Sequence, residues 1–306
     1  GPGAGGGRAR GAGSDDLDRA GVEATPPPRR PPPPTRRSPD EHAHLEPPAR
    51  TRSLADPLRE SVTMLRRNLR QAVRYPSLII SIIVMPVVLL LVFAFVFGGA
   101  LEAATEGEYI DYLAPGMLLM IPAYLMASLA VQIATDTTKG IVNRFRTMPI
   151  APASMLAGHV GGTLVLGLLG SGAMALVALL IGWRPDAEPV EWLAAAGLLA
   201  LFTFALAWIA VGMGLISPNP ESASNLPLPF ILLPFLGSGL VATDTMPAGL
   251  RQFAEYQPFT PMTETIRGLL MGTEIGGSAV VALAWCLGLG VIGFVWSARV
   301  FARRDG

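Results

Sequence analysis

The chain has one cysteine, one lysine and three histidines, and each scarcity removes a class of chemistry. A lone Cys286 excludes a disulfide framework and cysteine-based metal sites. Lys139 sits in Thr137-Thr138-Lys139-Gly140, outside the Gly-x-x-x-x-Gly-Lys-Ser/Thr frame whose amides and lysine hold phosphates. The chain therefore has no such nucleotide pocket of its own. HExxH and GxSxG are missing, and His42, His44 and His159 do not form a plausible zinc cluster, which argues against a membrane-embedded hydrolase. Basic and acidic residues balance at 23 each, so no basic excess points to a nucleic-acid partner.

Charge is also missing from six long apolar stretches: Tyr75 to Leu101, Tyr112 to Thr135, Thr147 to Trp183, Trp192 to Pro220, Ser222 to Thr243 and Ile275 to Ala298. About 20 apolar residues cover a hydrocarbon core of about 30 Å, so each can cross once. The expected spans are 76–99, 112–135, 153–183, 192–217, 224–243 and 277–298, within a membrane domain of 75–304. Arg59, Arg66, Arg67, Arg70 and Arg74 precede the first; Lys139, Arg144 and Arg146 follow the second; Arg299, Arg303 and Arg304 follow the sixth. Positive charge accumulates on the cytoplasmic side, so these groups share one side only with six crossings and cytoplasmic termini. The expected class is an all-α, multi-pass protein of the cell membrane. Carriers driven by an ion gradient usually keep ionisable groups within the membrane. Here His159 is the exception, either a satisfied packing histidine or a coupling or substrate group.

Residues 1–56 are rich in Gly, Pro, Arg and Ser, with almost no large apolar side chains to offset ordering entropy. This tail is expected to be disordered and cytoplasmic, and it lacks the short apolar core of a signal peptide. Over 57–74 the pattern changes. Leu58, Val62, Leu65, Leu69, Ala72 and Val73 recur at helical spacing, with Arg66, Arg67, Arg70 and Arg74 opposite, which predicts an amphipathic helix in the headgroup plane. It serves either as an anchor or as a lever on the first span.

Pro86, Pro115, Pro122, Pro227, Pro229 and Pro234 interrupt spans, which neighbouring helices must accommodate. Gly158 and Gly162 stand in GxxxG spacing, read as packing within the chain or as a dimer seam. Residues 246–272 read as two short outer helices dipping back toward the membrane, or as an amphipathic surface loop. The first spans Pro247 to Gln257; the second is capped by Thr260, has Pro261 in its first turn, carries Met262, Ile266, Leu269 and Leu270, and is closed by Gly272.

With neither a nucleotide site nor buried charge, energy for transport must enter at an inner contact. The segment 136–149 is polar, basic and helix-compatible until Pro149. Ile141, Phe145 and Met148 form an apolar stripe beside Arg144 and Arg146, which suits a partner's cleft or serves only as a basic loop that sets topology.

Gly140-Ile-Val-Asn-Arg-Phe-Arg-Thr-Met-Pro-Ile150, then Thr243-Asp-Thr-Met-Pro247, Gln257-Pro-Phe-Thr-Pro261 and Glu264-Thr-Ile-Arg-Gly268, resemble the ABC-2 type permeases, specifically the daunorubicin-resistance (DrrB-like) group of actinobacteria. The resemblance covers about 58–304. It implies a permease subunit that exports amphiphilic drugs, antibiotics or lipids, paired with a second permease copy in a homodimer and with two copies of a separate ATPase. ATP and Mg would be held by that partner, with no cofactor on this chain. It further implies an ATPase-coupling segment at Asp136, Lys139, Gly140, Asn143, Arg144, Phe145, Arg146, Met148 and Pro149, with Arg66, Arg67, Arg70 and Arg74 at the same interface. The outer helices would close the exit through Met246, Pro247, Phe253, Pro258, Phe259, Pro261, Glu264 and Arg267. The alternatives are an ion-gradient carrier acting without an ATPase, and a membrane scaffold or lipid-modifying enzyme.

Overall fold

The computed structural model describes residues 76–101, 108–139 and 152–303, and all regular structure among them is helical. The tail 1–56, the amphipathic segment 57–74 with Arg66, Arg67, Arg70 and Arg74, and Gly140, Asn143, Arg144, Phe145, Arg146, Met148 and Pro149 lie outside the described residues.

The first helix, α1 (Pro76–Leu91), carries Pro86 and continues through a π-helical stretch, Val92–Phe97, into Gly98–Leu101. Then come α2 (Tyr109–Leu118) and α3 (Met120–Thr138), which form one span broken at Leu119. The break has a cause in the sequence. Pro122 offers no N–H to the carbonyl of Leu118, four residues earlier. The Ser171 hydroxyl donates to that freed oxygen at 3.5 Å. Next are α4 (Pro152–Leu180) and α5 (Pro189–Ile216). The second of these opens on a capping box in which the Glu191 carboxylate accepts from the Glu188 amide at 2.7 Å. The last long helix is α10 (Ser278–Arg303).

Five helical stretches among the described residues are long and apolar enough to cross a bilayer: Ile83–Ala100, Tyr109–Thr138, Met155–Leu180, Pro189–Ile216 and Ser278–Arg303. They match the first, second, third, fourth and sixth expected spans. The stretch expected as the fifth does not form one continuous helix. It comprises α6 (Pro220–Asn225), α7 (Leu228–Leu232) and a 3₁₀ turn, Leu233–Leu236. Pro227, Pro229 and Pro234 each remove a donor from the ladder, and three such losses within eight residues keep the helical pieces short. The broken stretch nonetheless packs on α3 and α5. It starts beside the end of α5 at Ser217, and at its far end the Tyr109 hydroxyl donates to the carbonyl of Leu240 at 3.0 Å.

The helices pack through small residues, as expected where lipid supplies no hydrophobic drive between them. On α4, a side chain on Gly167 would meet Thr203 of α5, and one on Gly170 would meet Ile121 of α3. Gly158 and Gly162 are buried within this single chain. Contacts between α5 and α10 advance in step, with Gly290 beside Ala205, Gly293 beside Trp208 and Ile209, and Trp296 on Gly212, so the two run parallel. The core lies along α2, α3 and α5, where Leu113, Met117, Ile121, Met126, Phe202 and Val211 are sealed from solvent.

Candidate functional site

Two polar regions interrupt this apolar bundle, one at each end. At the first, α3 closes with three threonines whose hydroxyls turn back onto their own helix: Thr135 to Val131 O, Thr137 to Ile133 O and Thr138 to Thr135 O. Asp136 instead reaches across to α4, where His159 Nε2 lies 3.2 Å from its Oδ2. Their side chains are only 11% (His159) and 19% (Asp136) exposed. An ionised carboxylate can only accept, so the imidazole donates. Lys139 caps α3 and is exposed, its amide donating to Thr135 O. Of the segment expected to contact an ATPase, Asp136 and Lys139 are thus placed side by side at one end of the bundle.

At the opposite end, α8 (Ala248–Tyr256) and α9 (Phe259–Met271) follow a short 3₁₀ turn, Thr243–Thr245. Both helices appear where the sequence pattern predicts them, and Gly272 closes α9 at φ +67°, the left-handed cap that favours glycine. The start of α9 differs from expectation. The side-chain oxygen of Gln257 caps it by accepting from the Phe259 amide at 2.9 Å, and Thr260 already lies inside the helix. The Thr260 hydroxyl accepts from the Gln257 side-chain amide at 3.0 Å and from the Ser238 amide at 3.2 Å. Nothing in the local pattern marks Gln257 as a cap; Ser238, the other donor to Thr260, lies 22 residues before that threonine in the broken stretch.

The residues expected at an outer gate divide into two sets. Pro258, Phe259 and Pro261 are buried, and Phe259 meets Phe202 of α5 edge to face with centroids 5.0 Å apart. Pro247 and Phe253 are exposed on α8, Met246 is half-buried, and the only buried residue of α8 is Ala254. So α9 belongs to the core, while α8 lies at its edge. Glu264, half-buried, accepts from the Ser278 hydroxyl at 2.8 Å and ties α9 to the start of α10.

Arg267 contacts two other segments. Its guanidinium donates to the carbonyls of Ser238 at 2.7 Å and Tyr112 at 3.1 Å, and lies 3.7 Å above the Tyr112 ring. One side chain thereby joins α9, the start of α2 and the end of the broken stretch. Burial pushes its pKa down, while Tyr112 and Glu264 pull it back up. The Arg267 Nε and the Ser238 hydroxyl are buried without a hydrogen-bond partner among the described residues. The loop after α4 is pinned to the same end: Trp183 is buried and its indole donates to Met271 Sδ at 3.1 Å, and the Asp186 amide donates to Leu270 O at 3.1 Å. Near the surface, Arg251 bonds Glu255 at 2.7 Å and lies 3.2 Å from Asp244, and the Glu255 bond raises its pKa.

Sequence reading named Glu264 and Arg267 as candidates but not Tyr112 or Ser238, whose bonds to Arg267 span 155 and 29 residues of chain. It also left Asp136 and His159 unpaired. The rarity of ionisable groups near the spans was the signal that could have joined them.

No group of three or more His, Cys, Asp or Glu side chains suited to a metal occurs among the described residues. Comparison with known proteins then bears on function. The family model for ABC-2 type transporters matches residues 59–271. The chain is 28% identical over 249 residues to the daunorubicin resistance ABC transporter permease protein DrrB1 of Streptomyces coeruleorubidus, covering 81% of this chain and 85% of that relative. It is 21% identical over 216 residues to a probable doxorubicin resistance ABC transporter permease protein DrrC of Mycobacterium tuberculosis, covering 70% and 78% respectively.

Proposed function

The chain belongs to the ABC-2 type transporter family, and from that premise we propose that it is the permease subunit of an exporter for hydrophobic or amphiphilic compounds. The match across 59–271, which takes in the whole segment between α3 and α4, carries this reading. ATP with Mg is hydrolysed on two copies of a separate ATPase, and a second copy of this chain completes the path. The relative from Streptomyces coeruleorubidus is a daunorubicin resistance permease, which makes an amphiphilic drug the first cargo to test.

In this reading the membrane domain crosses six times, the broken stretch 220–240 serving as the fifth crossing, and both termini are cytoplasmic. The contact of Tyr109 with Leu240, at the far end from Ser217, supports that count. Asp136, Lys139, Gly140, Asn143, Arg144, Phe145, Arg146, Met148 and Pro149 form the coupling segment, with Arg66, Arg67, Arg70 and Arg74 beside it. Dimerisation of the ATPases on binding ATP pushes this segment, and α3 and α4 carry the displacement along the bundle. At the other end α8 and α9 close the exit, held by Arg267 and opened when α2 and the broken stretch part from it. Walls without fixed charge suit apolar cargo.

Coupling between cargo and ATP is reciprocal, so cargo must raise ATP hydrolysis. Replacing Arg144, Phe145 and Arg146 together with Ala should abolish daunorubicin-stimulated hydrolysis by the co-reconstituted permease and ATPase. Stimulation equal to that of the parent complex would overturn the coupling assignment.

A further inference from the structure

The segment expected to meet the ATPase is carried by two stems, the end of α3 at Thr138 and the start of α4 at Pro152. Among the described residues a side-chain hydrogen bond links them near that end. Asp136 sits in the last turn of α3, and His159 lies seven residues into α4, about 10 Å along it at 1.5 Å per residue. The two meet at 3.2 Å. Their setting is apolar: Ile133, Ala134, Met155, Leu156 and Val160 around them are buried. A carboxylate in such surroundings needs a partner, and removing the partner leaves an uncompensated charge. The neighbouring threonine hydroxyls are all spent on backbone carbonyls of α3, so among the described residues His159 meets this need.

We propose that Asp136 and His159 form a brace that fixes the spacing of the two stems, so that a push on the segment between them moves α3 and α4 as one unit instead of spreading them apart. Both are positioning residues. The source of the push rests on the exporter reading, whereas the brace is a property of this chain alone. His159 thereby acquires a task that neither its lone place in the sequence nor the family membership assigns.

Two measurements separate these layers. In the full chain alone, in nanodiscs and with Cys286→Ala, nitroxide labels at Lys139→Cys and Ala157→Cys report the distance between the stems. Replacing both members, Asp136→Leu with His159→Leu, removes the brace without leaving a buried charge, so folding is preserved. The distance distribution should then widen, and the reciprocal exchange, Asp136→His with His159→Asp, should narrow it again. In the complex with the ATPase, the ratio of daunorubicin-stimulated to basal hydrolysis should fall about fivefold in the double-Leu variant, the low end of ordinary coupling between sites. The exchange should restore the ratio.

An unaltered stem distance in the double-Leu variant overturns the brace, as does a reciprocal exchange that restores neither reading. A widened distance with parental stimulation overturns its part in coupling. Absence of stimulation in the parent complex itself would count against the exporter reading, while the distance measurement would still decide the brace.

Discussion

Gly116 shows how a single missing side chain lets two backbone segments meet. A Cβ built on it would lie 2.5 Å from both Cα and O of Gly239 in the broken stretch, so backbone meets backbone there. The reverse position is easier: a Cβ on Gly239 would find Gly116 Cα and Pro234 O at 3.4 Å, near ordinary contact. The two substitutions should therefore differ although the residues touch. Gly116→Ala must displace backbone and should lower stability by about 1–3 kcal/mol, the usual cost of overpacking, whereas Gly239→Ala should be close to neutral. Unfolding midpoints of the detergent-solubilised variants check this, and equal shifts would show that the contact is not made as described. Arg267 presents the opposite case. Its charge is held in place by carbonyls from two other segments and by an aromatic face, so a residue costly to bury becomes the junction of three elements.

The seam between α5 and α10 follows the same rule over several turns. A side chain at Gly293 would press on the Ile209 amide at 2.8 Å and on the Trp208 carbonyl carbon at 3.0 Å, both backbone atoms that cannot rotate away. At Gly290, one turn earlier, the nearest atom is the Ala205 Cβ at 3.8 Å. Gly293→Ala should force the helices apart and weaken the fold, while Gly290→Ala should be tolerated; thermal unfolding in the same detergent tells them apart. Across this seam Phe294 packs edge to face on Trp208, with centroids 4.9 Å apart. The broken stretch gains its character from a different source. Proline spacing denies it a continuous hydrogen-bond ladder, and contacts with α3 and α5 hold the pieces in line. An isolated helix of five or six residues would not persist, so these pieces owe their form to tertiary packing.

For the whole molecule, the proposed six crossings place Asp186 and Gly249 outside the cell and Lys139, Ser224 and Ala302 inside. All five are exposed, which makes them suitable for labelling. With Cys286→Ala as background, a membrane-impermeant maleimide should modify Asp186→Cys and Gly249→Cys on intact cells. Lys139→Cys, Ser224→Cys and Ala302→Cys should react only after the membrane is opened. Modification of Ser224→Cys from outside, or failure of Gly249→Cys to react there, would remove the fifth crossing.

The apolar stretches determined by themselves that the chain is a helical membrane protein, since length and the absence of charge act through the bilayer and need no partner in the fold. Five of the six reappear as long helices, and the glycine that closes α9 was legible from local backbone chemistry alone. Proline positions announced that 222–243 would be interrupted, but only its contacts with α3 and α5 decided the form the pieces take. The bond from the Ser238 amide to Thr260, the seat of Arg267 on Tyr112 and Ser238, and the pairing of Asp136 with His159 were decided by tertiary structure. Each joins groups that local periodicity cannot link, because what brings them together is the burial of polar atoms that must find partners wherever the folded chain supplies them.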